Sequence, residues 1–418
     1  MNSLLAARPA HVPADHVVDF DLYAPPEAKQ DFHASWKSLH APDVPPIVWT
    51  PRHGGHWIVT RNPLINEVIS DYTRFSNNNI IIPKEAAKDS KLLPTTIDPP
   101  VHRPFRNLLN TSLGPKTISR NEQQVRAVAV RLIEEIRRDG ACNFTTAYAE
   151  KFPLQVFLQM IDLPLEDAPK LKQWSDQMLR PTPGRDWGAD QNGFAWGVRH
   201  FFEYLTPYIE ERTGKDGEDV LSRLINGTID GRALTRQEAL QLSAQVLIAG
   251  LDTVVNFLGF AMLYLATHDE ARRQLVNDPG LIPAAIEEMV RRFGVVTIGR
   301  EVVHDMEYAG VQLKAGDMVA IPTQLSGLDD RVNDNPMHVD FHRSAAEHTS
   351  FGNGPHRCPG AHLARLEIRV TLEEWLSRIP EFAVAPGQEV RFTGGIVAVV
   401  DALPLVWDVA TTRDIAAA

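Results

Sequence analysis

The spacing of apolar residues predicts helices over most of this 418-residue chain. Near the C-terminal end, apolar side chains recur every three or four positions along one stripe, which consists of Ala361, Ala364, Ile368, Leu372, Trp375 and Ile379. That period is typical of a helix with one buried face. The segment 281–293, LIPAAIEEMVRRF, repeats it, and helical patterns dominate from about residue 98 to residue 270. We therefore expect the core of the protein to be helical.

Two shorter regions have the alternating pattern of strands. IVWT (47–50) and HWIVT (56–60) flank the turn PRHGG, and this arrangement predicts a hairpin. RNPLINEVISD follows it and predicts a helix with Asn62 as N-cap and Pro63 at its first position. The segment 306–322, MEYAGVQLKAGDMVAIP, alternates again and predicts short strands.

These patterns predict a mainly α protein with minor β-sheets, folded as a single domain over residues 1–418. We expect its β-rich part at about 45–100 and 300–325, and its helical core at about 100–295 and 360–380. Neither an internal repeat nor a linker divides the chain.

One helix is predicted to be unusually long and apolar. Thr235 and Glu238 form the pattern of a capping box at its start. The window 246–265, VLIAGLDTVVNFLGFAMLYL, is long enough to span a bilayer. Asp252, Thr253 and Asn256 interrupt it, and an acid at the centre of a membrane span is costly. The pattern therefore favours a helix buried inside the protein.

Composition narrows the classes of function. Hydrophobic residues make up 44% of the chain and charged residues 23%, with a net charge of -11. An acidic chain is a poor partner for nucleic acid, which requires a concentrated basic face. Two cysteines are too few for a disulfide framework and are typical of a reducing cytosol. The N-terminus lacks a basic start followed by an apolar run, so we expect no signal peptide, no membrane anchor and a cytoplasmic location.

Candidate chemistry concentrates in SFGNGPHRCPGAHLARLEI (350–368), around Cys358. The loop has three interpretations: a small buried residue in a tight turn, a zinc site with His348, His356 and His362, or a haem iron bound by one thiolate. Gly352, Gly354 and Gly360 would let the backbone approach a flat macrocycle, and Phe351 would cover the sulfur. The helix beginning near Gly360 would direct its positive end at the thiolate.

Two further motifs favour the haem interpretation. Glu288 and Arg291, in EEMVRR, share a helical face, and Arg343 follows in DFHR. Within the long helix, AGLDT (249–253) combines small residues, which would let a flat group lie against the backbone, with an acid and an alcohol.

These motifs, in this order and at these intervals, resemble cytochrome P450, the family of haem-thiolate monooxygenases. Within it the chain is most similar to the bacterial camphor hydroxylases, as GLDTVVNF, MHVDF and ALPLVWD indicate. The resemblance implies a triangular prism with haem b between the long distal helix and the proximal cysteine loop. It also implies an axial thiolate from Cys358, a structural network of Glu288, Arg291 and Arg343, and an acid–alcohol pair, Asp252 and Thr253, that delivers protons. The implied haem-binding residues are His102, Arg106, Ala249, Arg300, Phe351, His356 and Gly360.

The resemblance is weaker in the substrate pocket. Ser90 stands where camphor hydroxylases have the tyrosine that binds the substrate ketone, Ile81 replaces a phenylalanine, Gln245 an aliphatic residue, and Ile298 an acid near the propionate. The expected substrate-binding residues are Ile81, Ser90, Leu92, Thr95, Gln245, Ile248, Val296, Ile298 and Val397. A mostly apolar pocket fits a small hydrophobic molecule with at most one carbonyl. We expect a terpenoid, a norisoprenoid or ionone-like ketone rather than camphor.

The reductant must come from another protein, because the chain has neither a dinucleotide-binding motif nor the cysteines of an iron–sulfur cluster. The resemblance implies a 2Fe-2S ferredoxin and its NADH-dependent flavoprotein reductase, acting on a monomer. Arg103, Arg106, Arg357 and Arg365 could form a basic docking patch. Three alternatives stay open: a peroxide-driven peroxygenase, a camphor-type bicyclic monoterpene hydroxylase, and a non-catalytic haem sensor.

Overall fold

The structure is a computed structural model that describes residues 5–29, 31–87, 90–180 and 193–415. Fourteen α-helices in this described part account for most of it. In chain order they are α1 (Phe32–Lys37), α2 (Asn62–Ser70), α3 (His102–Ser112), α4 (Pro115–Arg120), α5 (Glu122–Ile136), α6 (Lys151–Met160), α7 (Ala168–Leu179), α8 (Phe194–Arg212), α9 (Val220–Ile225), α10 (Arg236–Thr267), α11 (Asp269–Asn277), α12 (Ile282–Arg292), α13 (Thr323–Gly327) and α14 (Ala361–Arg378). The expectation of a mainly α protein is confirmed.

The strands form small sheets beside the helices. They are β1 (Ile47–Thr50), β2 (His56–Val59), β3 (Phe75–Ser76), β4 (Ala141–Asn143), β5 (Thr228–Ile229), β6 (Arg232–Ala233), β7 (Thr297–Val302), β8 (Met306–Tyr308), β9 (Val311–Leu313), β10 (Met318–Pro322), β11 (Ala383–Val384), β12 (Phe392–Thr393), β13 (Val399–Val400) and β14 (Pro404–Val406). The largest sheet has the order β1-β2-β10-β7-β3. Its β1–β2 pair is the predicted hairpin, and only β2 and β10 run parallel.

The long helix α10 runs through the helical core. It begins at the predicted capping box, in which the Thr235 hydroxyl accepts from the Glu238 N–H and the Glu238 carboxylate accepts from the Thr235 N–H. It is the one helix in the described residues long and apolar enough to cross a membrane, and 72% of its most apolar window is buried inside the protein. The helix packs against α6, α7, α8 and α14. Burial against these helices explains its apolar composition without a membrane.

The predicted N-terminus of α2 is wrong by one residue. Asn62 is the first helical residue rather than the N-cap, and its side chain donates to the Ser326 hydroxyl at 2.8 Å. The capping acceptor comes from a distant part of the chain, because the Asp329 carboxylate accepts from the Asn62 N–H at 2.8 Å. A tertiary contact thus replaces the local cap that the sequence predicts.

Candidate functional site

A cavity of about 320 Å³ lies between α10 and the loop that precedes α14. From α10 it is lined by Ala249 and Thr253, and from the loop by Phe351, Cys358 and Gly360. The predicted distal helix and the predicted cysteine loop therefore face each other across one space. Most of the remaining lining is aliphatic or aromatic.

The cysteine loop, residues 350–360, is held in a tight shape by its glycines and its neighbours. Gly352 and Gly354 have φ values of +68° and +62°, which favour glycine. A Cβ on Gly354 would lie 2.9 Å from the Cα of Ser70 in α2, so a side chain there would also clash. The Cys358 N–H donates to the Phe351 carbonyl at 2.7 Å and closes the loop. The thiol lines the cavity, which lies inside the protein.

The surroundings of the thiol carry positive charge. The Arg365 guanidinium lies 4.4 Å from the centroid of the Phe351 ring, and Phe351 and Cys358 both line the cavity. Burial raises the pKa of the Cys358 thiol, while the Gly360 N–H and the positive charges of Arg106 and Arg365 act in the opposite direction. A metal ion bound to the sulfur would favour the thiolate form further, in addition to the Gly360 N–H and the two arginines.

The network behind the loop has the predicted members. Glu288 and Arg291 are both almost fully buried, and Arg291 Nε and Nη2 each donate to one Glu288 oxygen at 2.7 Å. Arg343 Nε donates to Glu288 at 2.9 Å, and the Asp340 N–H donates to the same carboxylate at 3.0 Å. Arg291 Nη1 also donates to the carbonyls of Gly327 and Pro336, each at 2.7 Å. The network ties α12 to the segment before the cysteine loop.

A cationic rim on one side of the cavity contains unpaired nitrogen atoms. Arg106, Arg300 and His356 line the cavity, and the ring of His102 lies 4.2 Å from that of His356, centroid to centroid. Both ring nitrogens of His102, Nε2 of His356 and Nε of Arg300 are buried without a hydrogen-bond partner. Burial and the charge of Arg106 lower the pKa of His102 to about 4. The nearest carboxylate, Asp98, is 4.0 Å from His356 Nε2, beyond hydrogen-bond distance. Because unpaired buried donors are costly, these nitrogens favour the binding of a further acceptor.

The carboxylates of a haem would satisfy this rim, and the rest of the cavity fits the macrocycle. A thiol lies on one wall, a small residue, Ala249, on the opposite wall, and cationic donors at one edge. The zinc interpretation lacks support, because no group of three or more His, Cys, Asp and Glu side chains in the described residues could hold a metal ion. The donor set fits a haem better than it fits a bare metal.

Asp252 and Thr253 point in different directions from α10. Thr253 lines the cavity, and its hydroxyl lies 3.5 Å from the Ala249 carbonyl. Asp252 faces away from the cavity: one oxygen accepts from Arg180 at 2.7 Å, and the other lies 3.6 Å from Lys172 Nζ. Burial alone would raise the pKa of this carboxyl, but the charges of Arg180 and Lys172 outweigh it and the pKa is lowered. The acid is held ionised between α10 and α7.

Gly250 has a second role beside the one that the small-residue motif AGLDT suggests. It lines the cavity together with Ala249, as the motif suggests. A Cβ at this position would also lie 2.8 Å from the ring of Phe157 in α6, so the glycine admits an aromatic ring from a neighbouring helix.

The predicted substrate-binding residues divide into two groups. Thr95, Gln245, Val296 and Ile298 line the cavity. Ile81, Ser90, Leu92, Ile248 and Val397, all within the described part, are buried but do not belong to its lining, so substrate contact by these five stays a prediction. Ile80 lines the cavity in place of Ile81, and its carbonyl accepts from the Gly299 N–H of β7 at 2.8 Å.

Sequence reasoning missed several lining residues, namely Asn77, Ile80, Phe157, Phe257 and Glu367. Phe257 could have been found, because it follows Gln245, Ala249 and Thr253 at intervals of four on one helical face. Glu367 is an acid in the buried part of α14, and burial raises its pKa well above the usual value. Asn77 and Phe157 carry no local signal, because their place in the wall depends on tertiary packing.

Comparisons with known proteins agree with this geometry. The family model for cytochrome P450 matches residues 187–393. A probable cytochrome P450 127A1 of Sinorhizobium fredii is 32% identical over 96% of both chains. A vitamin D(3) 25-hydroxylase of Pseudonocardia autotrophica is 30% identical over 86% of this chain and 89% of its own.

Two solved structures are similar along nearly the whole chain. The crystal structure of CYP101J2 has a TM-score of 0.89 and 46% identity, and that of CYP101C1 has a TM-score of 0.87 and 39% identity. Each comparison covers 96% of this chain and 100% of the other. The resemblance that the motifs indicated is confirmed.

Proposed function

Since this chain belongs to the cytochrome P450 family, we propose that it is a ferredoxin-dependent monooxygenase that hydroxylates a small oxygenated terpenoid. The family uses haem b with an axial cysteine thiolate. When bound, the haem activates dioxygen, so that one oxygen atom enters the substrate and the other leaves as water with two electrons and two protons. The observation that carries the proposal is the position of Cys358 and Thr253 on opposite walls of one cavity.

The chain's own residues would hold the haem. Cys358 would bind the iron, and Arg106, Arg300 and His356 would donate hydrogen bonds to the propionates, with His102 supporting His356 from behind. Charge-assisted bonds from arginine to carboxylate are among the stronger protein hydrogen bonds. The absence of side-chain bulk at Ala249 and Gly360 leaves room for the macrocycle.

Proton delivery would divide between Thr253 and Asp252. The Thr253 hydroxyl orients the proton donor inside the cavity. Asp252 is held by Arg180 and Lys172 on the side of α10 that faces away from the cavity, and it passes protons from solvent towards Thr253. An acid kept ionised by cations can accept a proton and release it again. This pairing supports a monooxygenase over a peroxygenase, which would require neither group.

The electron donor would dock on the face next to the cysteine loop. Two of the four predicted docking arginines have other partners: Arg106 lines the cavity, and Arg365 pairs with Glu287 at 2.5 Å. Arg103 and Arg357 are exposed and form no ion pair within the described residues. These two charges support an acidic ferredoxin as partner, despite the net charge of -11.

Charge reversal tests this surface. We expect Arg103→Glu to slow reduction by a 2Fe-2S ferredoxin, and more so at low salt, because steering by exposed charges is screened by salt. Arg138→Glu is the matched control, since Arg138 is also exposed but lies in the turn that follows α5, outside α3 and the cysteine loop. Equal reduction rates for the two variants would remove the docking surface from the proposal.

The substrate would be a terpenoid ketone of the norisoprenoid or ionone type. Support comes from the mostly apolar lining and from Ser90 at the position of the tyrosine of camphor hydroxylases, since a serine reaches less far towards a substrate ketone. A spectral titration of the ferric haem with a panel of terpenoid ketones tests this. Camphor binding as strong as in a true camphor hydroxylase would contradict it.

The enzyme activity itself is tested separately. Purified protein supplied with haem should form a reduced carbon monoxide complex with the absorption of a thiolate-ligated haem. It should also make an alcohol from a terpenoid when given ferredoxin, reductase, NADH and dioxygen. A histidine-type spectrum, or equal turnover with peroxide alone, would contradict the monooxygenase.

A cytoplasmic monomer is also part of the proposal. Its support is that α10, the described helix that is apolar enough for a membrane, is largely buried by the other helices. Fractionation of the native host cells and sedimentation of the purified protein test the two statements. Recovery in the membrane fraction, or a dimer at micromolar concentration, would contradict them.

A further inference from the structure

Gln245 is a polar side chain on the apolar face of α10 that points into the cavity. It lies on one line with Ala249 and Thr253, because residues four apart share a helical face. The residues around it on the helix, Leu242, Val246 and Leu247, are buried and apolar. Its carboxamide forms no hydrogen bond to any residue in the described part of the chain. A long polar group with two donors and an acceptor is therefore left for a partner in the cavity.

Most other neutral polar side chains of the lining already have partners. Thr323 Oγ1 donates to the Val296 carbonyl at 2.8 Å, and Ser350 Oγ donates to the Val290 carbonyl at 2.7 Å. Asn77 Nδ2 donates to the Thr95 carbonyl at 3.2 Å, while its Oδ1 is a buried acceptor without a partner, which a substrate carbonyl could not satisfy.

Apart from Thr253 and the rim residues, three side-chain groups of the described lining form no hydrogen bond. They are the Thr95 hydroxyl, the Gln245 carboxamide and the Glu367 carboxyl, and Glu367 stands on α14, the helix that follows the cysteine loop, rather than on α10. The carboxamide is the better anchor because it stands on a long buried helix, and a rigid element positions a ligand more accurately than a loop does.

We propose that Gln245 donates an amide N–H to the one polar oxygen of the substrate and thereby selects oxygenated terpenoids over hydrocarbons of the same skeleton. The inference rests on the proposed function and names the substrate contact for it. A site that binds a substrate oxygen discriminates against the analogue that lacks it, since the amide is then left unpaired.

The position of Gln245 also restricts where oxidation takes place. With a rise of about 1.5 Å per residue, Gln245 lies about 12 Å along the helix axis from Thr253 and about 6 Å from Ala249. Thr253 marks the reacting end of the cavity. The oxidised carbon is therefore at the end of the substrate remote from the anchored oxygen, on the ring of an ionone-like ketone rather than beside its carbonyl.

The test uses the haem-loaded protein and two probes, β-ionone and the hydrocarbon with the same skeleton and no carbonyl. Dissociation constants come from the spectral change of the ferric haem. Gln245→Leu is compared with Gln241→Leu, a matched control in which the same residue type, one turn earlier, lies outside the described lining. A wild-type carbon monoxide spectrum shows that each variant is folded and carries haem.

We expect Gln245→Leu to weaken β-ionone binding about five- to tenfold, the range of one neutral hydrogen bond. Hydrocarbon binding should be unchanged or tighter, and Gln241→Leu should behave as wild type. With ferredoxin and reductase present, the variant should hydroxylate the ketone at several positions instead of one.

Several results would overturn the inference. They are a ketone-to-hydrocarbon preference in Gln245→Leu within twofold of wild type, loss of that preference in Thr95→Val instead, or binding of neither probe. The thiolate spectrum and turnover of another substrate would be unaffected by these results. Failure of this inference is therefore distinguishable from failure of the monooxygenase.

Discussion

Replacing Glu288 with glutamine should destabilise the protein far more than the same change at the adjacent residue. The Glu288 carboxylate accepts four hydrogen bonds, two from Arg291, one from Arg343 and one from the Asp340 N–H. Glutamine keeps the shape but turns one acceptor oxygen into an NH₂ donor. The buried Arg291 and the partly buried Arg343 would then lack a counter-charge, and donors that faced the lost oxygen would face another donor.

The expected magnitude follows from these contacts. Breaking a buried ion pair by removing one partner costs about 3–5 kcal/mol. Two unsatisfied buried donors at about 1–3 kcal/mol each give a similar sum. Glu287→Gln is the control: Glu287 pairs with Arg365, and the two side chains are 39% and 28% exposed. A pair this open to solvent contributes about 0–1 kcal/mol.

Denaturant unfolding of the haem-loaded proteins measures both changes. Tryptophan fluorescence reports the fold, and the absorption of the haem reports its retention. We expect Glu288→Gln to unfold at much lower denaturant concentration and to lose haem at the same point. If Glu287→Gln and Glu288→Gln shift the midpoint equally, then the buried network does not stabilise the cysteine loop as argued.

Further predictions concern protons, acid stability and the loop. Thr253→Ala should keep haem and substrate binding but divert NADH electrons to hydrogen peroxide; unchanged product per NADH would contradict its role. Burial lowers the pKa of His33 in the folded protein to about 3. As the pH falls below 6.5, His33 is therefore protonated in the unfolded chain but not yet in the folded protein. Stability should then decrease by about 1.4 kcal/mol per pH unit, and His33→Gln should reduce that slope in denaturant unfolding at pH 4–6. Gly354→Ala should release haem, measured by transfer to apomyoglobin, because its Cβ would clash with Ser70; wild-type retention would show that the loop can shift.

Local patterns predicted the elements that depend on near neighbours in sequence. The hairpin at 47–60, the capping box at Thr235 and the buried stripe of α14 are all confirmed. The cysteine motif likewise led to the cavity, because the spacing of its glycines reflects the local conformation of one loop. These features need only a few consecutive residues to be recognised.

Features that depend on distant contacts could not be predicted in this way. Asn62 looks like a cap, but Asp329 supplies the acceptor from 267 positions away. Gly250 lines the cavity as its motif suggests, but its close contact with Phe157 of another helix carries no signal in the sequence. The choice between Ile80 and Ile81 as the lining residue depends on the contact of that segment with β7, where the Gly299 N–H donates to the Ile80 carbonyl. Each outcome is decided by packing between elements.

The contacts of the cysteine loop have a practical consequence. Asn353 Nδ2 donates to Asn66 in α2 at 3.1 Å, and Ser350 Oγ donates to the Val290 carbonyl in α12. The loop that carries the iron ligand is thus bonded to both α2 and α12. If unfolding moves these two helices apart, the loop is distorted and haem is released. We therefore expect the red colour of the haem and the tertiary structure to be lost in one cooperative transition. The colour of the bound haem therefore reports how much of the protein is folded, and colonies that express stabilised variants can be selected by their colour.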